Sequence, residues 1–294
     1  MTGRPEMSWR NTFLHRTIRV PVGQFDEGAG RWVDSRDTRP VTCSSLSVAT
    51  FNIWYDDYHA QQRYQTIATV LSREMPDVMV FQEVTQPALD VLLAQPWIRT
   101  HYRRAAIIGG RLGNYGMLLL SRPAVGRVTY TRLPTKLSRG YLTAEFELNS
   151  TAQKIVGVHL ESGKTAQRTR ARQLSCLFRA NRNSDNVIVA GDFNMRDDEN
   201  HLLPPDYRDV WPALRPGDPG YTEDTSVNLM RFDNKDKHRH VRFDRVLCKG
   251  DAWVPERIRL LGCEPVSPAL PRVFPSDHFG VLCQFGAAES KFGC

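Results

Sequence analysis

No stretch of this 294-residue sequence approaches the roughly twenty consecutive apolar residues that a helix needs to cross a bilayer. The opening segment also lacks the apolar core of a secretory signal. No membrane partner is expected, and the expected setting is intracellular: the cytoplasm and, in a eukaryotic cell, the nucleus as well. Cysteine is scarce, and the six present (Cys43, Cys176, Cys248, Cys263, Cys283 and Cys294) form no CxxC pair and no zinc-ligand spacing. That argues against a disulfide framework and predicts core thiols with one exposed thiol at the C terminus. No internal period points to a repeat architecture. Acid is in deficit, with 39 Lys and Arg against 32 Asp and Glu, a net charge of +7 and a pI near 9.2. This balance suits a phosphate-rich partner, although an ordinary basic protein shares it.

With 41% hydrophobic residues, the chain can build a substantial core. Residues 1–45 read as an N-terminal extension, in which "TIRVPVGQFDEGAGRWVD" has the form of a small hairpin around a Gly-rich turn. Residues 46–286 read as one domain of a size that enzymes use, and 287–294 as a C-terminal tail. Within the domain, short apolar runs end repeatedly in polar clusters: "LSVATFNIW", "DVMVFQEV", "GMLLLSR", "KIVGVHLES", "NVIVAGDFN", "VRFDRVLC" and "FGVLCQF". These have the length and composition of strands. Between them, Tyr64, Ile67, Ala68 and Leu71 make one helical stripe, and Leu174, Leu177 and Phe178 another. The pattern predicts an α/β (α+β) layered fold built around sheets.

Asn52, Glu83, His159, Asp192 with Asn194, Asp244, and Asp277 with His278 all sit at the polar ends of these runs. Each alone also fits a structural part: a turn former, a helix cap, a satisfied core histidine, a surface ion-pair partner. Taken together, carboxylates, amides and histidines at one type of position would suit a hard cation and a phosphate. Asp192 and Asn194, two residues apart on an extended chain, would point to the same side.

The blocks "TFNIW", "FQEV", "VHLES", "GDFNMRD", "RFDRV" and "PSDHFG" occur in an order that resembles the endonuclease/exonuclease/phosphatase superfamily. "HLES", the arginine of "GDFNMRD" and "RFDR" make the chain similar to its 5′-tyrosyl-DNA phosphodiesterase branch. The resemblance implies a four-layer sandwich of two packed mixed β-sheets flanked by helices, and a phosphodiesterase dependent on Mg²⁺, with Mn²⁺ as an alternative. It implies that Glu83 holds the metal with Asn52 and Asp277, and that Asp192 orients or deprotonates the attacking water beside Asn194. His278, oriented by Asp244, and His159 would donate to phosphate oxygens. Ser162 and Arg196 would bind the phosphate and adjoining groups.

The implied partner is DNA carrying 5′-tyrosyl or related phosphodiester adducts, as left by abortive topoisomerase complexes. A monomer is expected, and the sequence names no protein partner. A DNA or RNA nuclease or a phosphatase of the same superfamily, and a catalytically inactive nucleic-acid-binding protein, are the alternatives. One departure stands out: Glu223 in "YTEDT" occupies the position of the branch's tryptophan. An acid facing a bound phosphate would repel it, so Glu223 is expected to face solvent or to be neutralised by Arg196 or Arg231. The helix "KTAQRTRARQL" is read as placing Arg168 and Arg172 beside the site, and "DNKDKHRH" at 233–240 as a solvated loop.

Overall fold

The apolar runs become the inner strands of two mixed sheets, each with apolar side chains on both faces. The computed structural model describes residues 17–35, 37–109, 113–135 and 137–288. One sheet has seven strands, in the order Thr17–Arg19, Arg127–Arg132, Gly140–Leu148, Thr151–His159, Asn186–Asp192, Asp244–Lys249 and Arg208–Asp209. The other has eight, in the order Trp253–Leu261, Gly280–Ala287, Ser45–Asn52, Val78–Val84, Gly116–Ser121, Arg103–Ile107, Gly23–Asp26 and Arg31–Asp34.

Period-two alternation sets the layers. Leu46 and Val48 point into the core between the sheets, with Val80, Leu119, Ile155, Ile188, Val246 and Phe285. From the same strand, Ala49 and Phe51 point outward to Tyr64, Ile67, Ala68 and Leu71 of the helix Ala60–Glu74. On the other sheet, Val156, Val158, Val187 and Val189 receive Leu174, Leu177 and Phe178 of the helix Gln167–Ala180. Both helical stripes expected from the sequence are therefore buried, and the four-layer sandwich is present. Burial of a side chain such as Phe51 makes its truncation to alanine costly, about 3–5 kcal/mol. The neighbouring Gly280 has no room for a larger residue, because a Cβ there would lie 2.7 Å from the Phe51 ring.

The two sheets share one plan that positions the site. In each, a central parallel pair is flanked by antiparallel strands: Ser45–Asn52 beside Val78–Val84, and Thr151–His159 beside Asn186–Asp192. Parallel strands finish at the same end, so Asn52 is level with Gln82, and His159 with Asp192. Asp244, which begins an antiparallel strand, is level with Asp192.

Residues 17–34, read as part of an extension, are built into both sheets. Thr17–Arg19 pairs with Arg127–Arg132, and the expected hairpin Gly23–Asp26 with Arg31–Asp34 joins the other sheet where Gly23 meets Arg104. Backbone pairing recruits these strands despite their few apolar residues. Cys248 and Cys283 are buried as core thiols, whereas Cys43, Cys176 and Cys263 are half-buried. Cys294 lies outside the described residues. No described helix is long and apolar enough to cross a membrane.

Candidate active site

A cavity of about 550 Å³ opens where the parallel pairs end, and Asn52, Glu83, Asp192, Asn194, Ser162, Arg196, Asp277 and His278 all line it. His159 and Asp244 lie buried directly behind this wall. Residues from opposite sheets are in contact there: the Asn52 amide donates to Asp192 Oδ2 at 3.0 Å. Within one sheet, Gly191 lets the strand that carries Asp192 lie close to the strand that carries His159, since its φ is +152° and a Cβ would lie 2.1 Å from the Val158 carbonyl oxygen.

Asp192 and Asn194 do converge, although a turn brings them together and strand alternation does not. Asn194 has φ +50°, a conformation that asparagine tolerates better than most residues. Its backbone N–H donates to Asp192 Oδ1 at 2.8 Å, and its side-chain amide donates to Asp192 Oδ2 at 3.0 Å and to the Leu160 carbonyl at 3.1 Å. Both amide hydrogens are thus committed inside the protein, and Asn194 holds Asp192 in place. Burial opposes the charge on Asp192, but the His159 contact and the positive charges of His278 and Arg139 hold it well below the usual carboxylate range. It is an anion held by donors and a weak base, suited to orienting a water more than to storing its proton.

Glu83 departs from strand geometry. Its φ is +60°, and the pairing with Gly116–Ser121 slips between Gln82 and Val84. This bulge turns the carboxylate out of the alternation, toward the cavity. Burial and the neighbouring charge of Asp277 push Glu83 up to about 7, against the opposing pull of Arg139 and His278.

His278 Nδ1 is 2.7 Å from Asp244 Oδ2. Burial disfavours a charged imidazole, but Asp244, with Asp277 and Asp192, raises His278 well above its ordinary value. The Ser276 hydroxyl fixes this loop, donating to the Asn52 carbonyl at 2.7 Å and accepting from the His278 N–H at 3.2 Å. His159 is the opposite case: burial and Arg139 lower it to about 4, so it is neutral. Arg139 Nη1 lies 3.3 Å from His159 Nδ1, which must then accept, leaving Nε2–H as the donor. That nitrogen is 3.4 Å from Asp192 Oδ2 and 3.8 Å from Glu83 Oε1. His159 therefore faces the two carboxylates.

Arg139 is absent from the sequence-derived set. It is buried, lines the cavity, and donates to the Tyr115 hydroxyl at 2.8 Å and to Ser162 Oγ at 3.3 Å. Its only sequence signal is an arginine immediately before Gly140, the first residue of a strand. Tyr55 and Tyr115, stacked with ring centroids 5.0 Å apart, also line the cavity and went unnoticed for the same reason. Arg170 is a structural residue. It is buried and paired with both carboxylate oxygens of Glu199 at 2.8 and 2.7 Å, and it donates to the Glu161 and Gly163 carbonyls. It ties the loop after His159 to the turn after Asp192. Arg168 and Arg172 of the same helix are exposed and lie outside the cavity lining.

Glu223 does not face solvent. It is 1% exposed and lines the cavity, bonded to Arg231 Nε and, at 3.0 Å, to Arg239 Nη1. Arg231 is the neutralising partner named from the sequence; Arg239 is a second. The segment 233–240 is also more than a solvated loop: it begins inside the helix Leu229–Lys235 and brings Lys237 and Arg239 to the cavity.

The donor chemistry fits a hard divalent cation near Glu83. The available ligands are oxygens of Glu83, Asp277 and Asn52, and a cation would relieve the carboxylate repulsion that raises Glu83. The side-chain oxygen of Asn52, Oδ1, already accepts from the Trp54 N–H at 3.1 Å and has one lone pair left. Asp192, Asp244 and His278 also bring ligand atoms within 4.8 Å of one another. A cation among them would face the positive charge that Asp244 holds on His278, so the Glu83 side is the better seat.

A sequence model of the Endonuclease/Exonuclease/phosphatase family matches residues 49–278. Tyrosyl-DNA phosphodiesterase 2 of Gallus gallus is 32% identical over 262 residues, covering 82% of this chain and 67% of the relative. The Homo sapiens protein of the same name is 29% identical over 265 residues, covering 85% and 70%. The chain spans about two thirds of the length of these relatives. The crystal structure of D. rerio TDP2 complexed with single-strand DNA product superposes with a TM-score of 0.73 at 24% identity, covering 83% of this chain and 100% of that one. Beta toxin of Staphylococcus aureus superposes with a TM-score of 0.63 at 17% identity, covering 81% and 99%. At these identities the superpositions speak for the fold.

Proposed function

Since this chain belongs to the endonuclease/exonuclease/phosphatase family, as a member similar to tyrosyl-DNA phosphodiesterase 2, we propose that it hydrolyses 5′-phosphotyrosyl bonds at DNA ends with Mg²⁺ as cofactor. The observation that carries this reading is the opposed charge of neighbouring groups in one cavity: an imidazolium at His278 and an anion at Asp192, with a carboxyl at Glu83 that burial and Asp277 raise to about 7. Pairs of titratable groups driven apart by their surroundings mark acid and base roles.

Asp192 accepts a hydrogen bond from the attacking water and fixes its direction, while Asn52 and Asn194 fix Asp192. His278 donates to a phosphate oxygen on which negative charge builds, and Asp244 keeps that proton in place. Arg139 adds positive charge beside Ser162 and Tyr115. A divalent cation held by Glu83 with Asp277 would act as a Lewis acid toward the phosphate. A tyrosyl leaving group departs as a phenol of pKa about 10, which needs little acid assistance. Among the described residues the cavity accordingly offers oxyanion donors and no strong acid dedicated to a leaving alkoxide.

Family nucleases and phosphatases remain the competing reading, favoured by the ionic wall around Glu223 where the tyrosyl branch has tryptophan. A protein that only binds nucleic acid would need cations, not the buried acids Asp192 and Asp244. Matched oligonucleotides bearing 5′-tyrosine, 3′-tyrosine, an abasic site or an unmodified 5′-phosphate separate these readings. Release of tyrosine from the 5′ adduct alone, halted by chelator, is expected. Cleavage confined to the abasic or unmodified strand would replace the proposal with a nuclease.

A further inference from the structure

The cavity has a second charged wall that the hydrolytic step does not use. Arg231, Lys237 and Arg239 line it, and Glu223 binds the two arginines with separate carboxylate oxygens. Two guanidinium charges against one carboxylate leave this trio net positive. Arg231 Nη1 is buried without a hydrogen-bond partner among the described residues. Its side chain is 10% exposed, and its Nε is 3.8 Å from Asp277 Oδ2, so it adjoins the catalytic groups. The Phe243 ring makes the floor, with the Arg196 and Arg239 guanidinium carbons each 6.0 Å from its centroid and the His278 ring 6.1 Å away. A strip of cations thus runs from His278 across Phe243 to Arg239.

We infer that Arg231 and Arg239, held by Glu223, form a second anion subsite that binds the next backbone phosphate of a nucleic-acid strand whose terminal phosphate lies at His278. The inference rests on the proposed nucleic-acid substrate and extends it. A guanidinium matches two phosphate oxygens with parallel N–H donors, and Arg231 has an uncommitted buried nitrogen to offer. Glu223 is a positioning residue here: it leaves fewer orientations to the arginines before the strand arrives, which lowers the ordering cost of binding. The acid in the wall therefore supports phosphate binding through its partners instead of opposing it.

The test measures binding in chelator, where no turnover occurs, and compares thymidine 5′-monophosphate with 5′-phosphorylated dithymidylate. The unmodified protein is expected to bind the two-phosphate ligand on the order of tenfold tighter. Arg239→Gln, at a position exposed enough to tolerate the change, should remove most of that preference, and Arg239→Lys should retain part of it. Glu223→Gln should also reduce the preference, by loosening the arginines, although it removes a negative charge. Equal binding of the two ligands by the unmodified protein, or a full preference in Arg239→Gln, would overturn the subsite. A larger preference in Glu223→Gln would overturn the positioning role. Tyrosine release is assayed separately on the 5′-tyrosyl strand, so a failure of the proposed activity is read independently of this comparison.

Discussion

Asp244 Oδ2 lies 2.7 Å from His278 Nδ1, and both groups are buried. The two residues are 34 apart in the chain, on a strand start and on the loop that precedes the last strand. Their short contact allows the carboxylate to fix the orientation of the ring and to keep it charged.

Asp244→Asn is expected to lower kcat/KM by on the order of 10²-fold, the effect of losing one preorganised oxyanion donor. The alkaline limb of the pH–rate profile should move to lower pH, because His278 would lose the partner that raises it. The same linkage applies to folding. The contribution of His278 is full below the unfolded histidine value of about 6.5 and is lost as pH rises through the higher folded value, whereas burial raises Asp244 to about 6. NMR titration of the His278 ring in both proteins checks the assignment.

Without a divalent cation, Glu83 should titrate near its raised value of about 7. A carboxyl raised on folding binds its proton more tightly in the native state, so stability should fall as pH climbs from the unfolded value of about 4.3 through that point. Added Mg²⁺ should reverse the fall and raise the thermal midpoint. Glu83→Gln should abolish both the Mg²⁺ response and turnover; a midpoint shift equal to that of the unmodified protein would place the cation elsewhere.

Arg170 and Glu199 form a buried two-bond ion pair far from any surface screening. Removing either partner strands a charge, and Glu199→Ala is expected to cost about 3–5 kcal/mol. Replacing both with apolar residues of similar volume should cost less than either single change. Urea unfolding of the three variants measures the difference.

Glu223→Trp, which would introduce the residue that the resemblance to the tyrosyl-DNA branch implies, is expected to reduce activity, because it removes the closest carboxylate of the buried Arg231 and leaves it only Asp277, 3.8 Å away. The stability loss should also be on the order of 3 kcal/mol. A gain in turnover on 5′-tyrosyl DNA would mean that Arg231 finds another partner and that the acid was an obstacle.

The sequence alone determined seven of the inner strands, the two helical stripes and the positions of the acids and histidines, because period-two and 3.6-residue patterns are local properties of the chain; Arg103–Ile107, Arg127–Arg132, Gly140–Leu148 and Trp253–Leu261 lie outside those seven runs and were recruited as strands by pairing. The ordered blocks ending at Asn52, Glu83, His159, Asp192 and His278 could be read for the same reason. Tertiary structure decided which of these groups touch and in what charge state. The Asn52–Asp192 bond joins residues 140 apart across two sheets, and no local pattern encodes that contact. Nor could spacing show that Asn194 meets Asp192 through a left-handed turn, or that a bulge re-aims Glu83.

Arg139 and Glu223 lie outside the patterned runs, and each became part of the cavity through partners brought to it by folding. The sequence supplies ionisable groups, whereas burial and neighbouring charge set their protonation. Burial is a property of the packed layers, which is why the neutral His159 and the charged His278 are alike on the page of residues and opposite in the site.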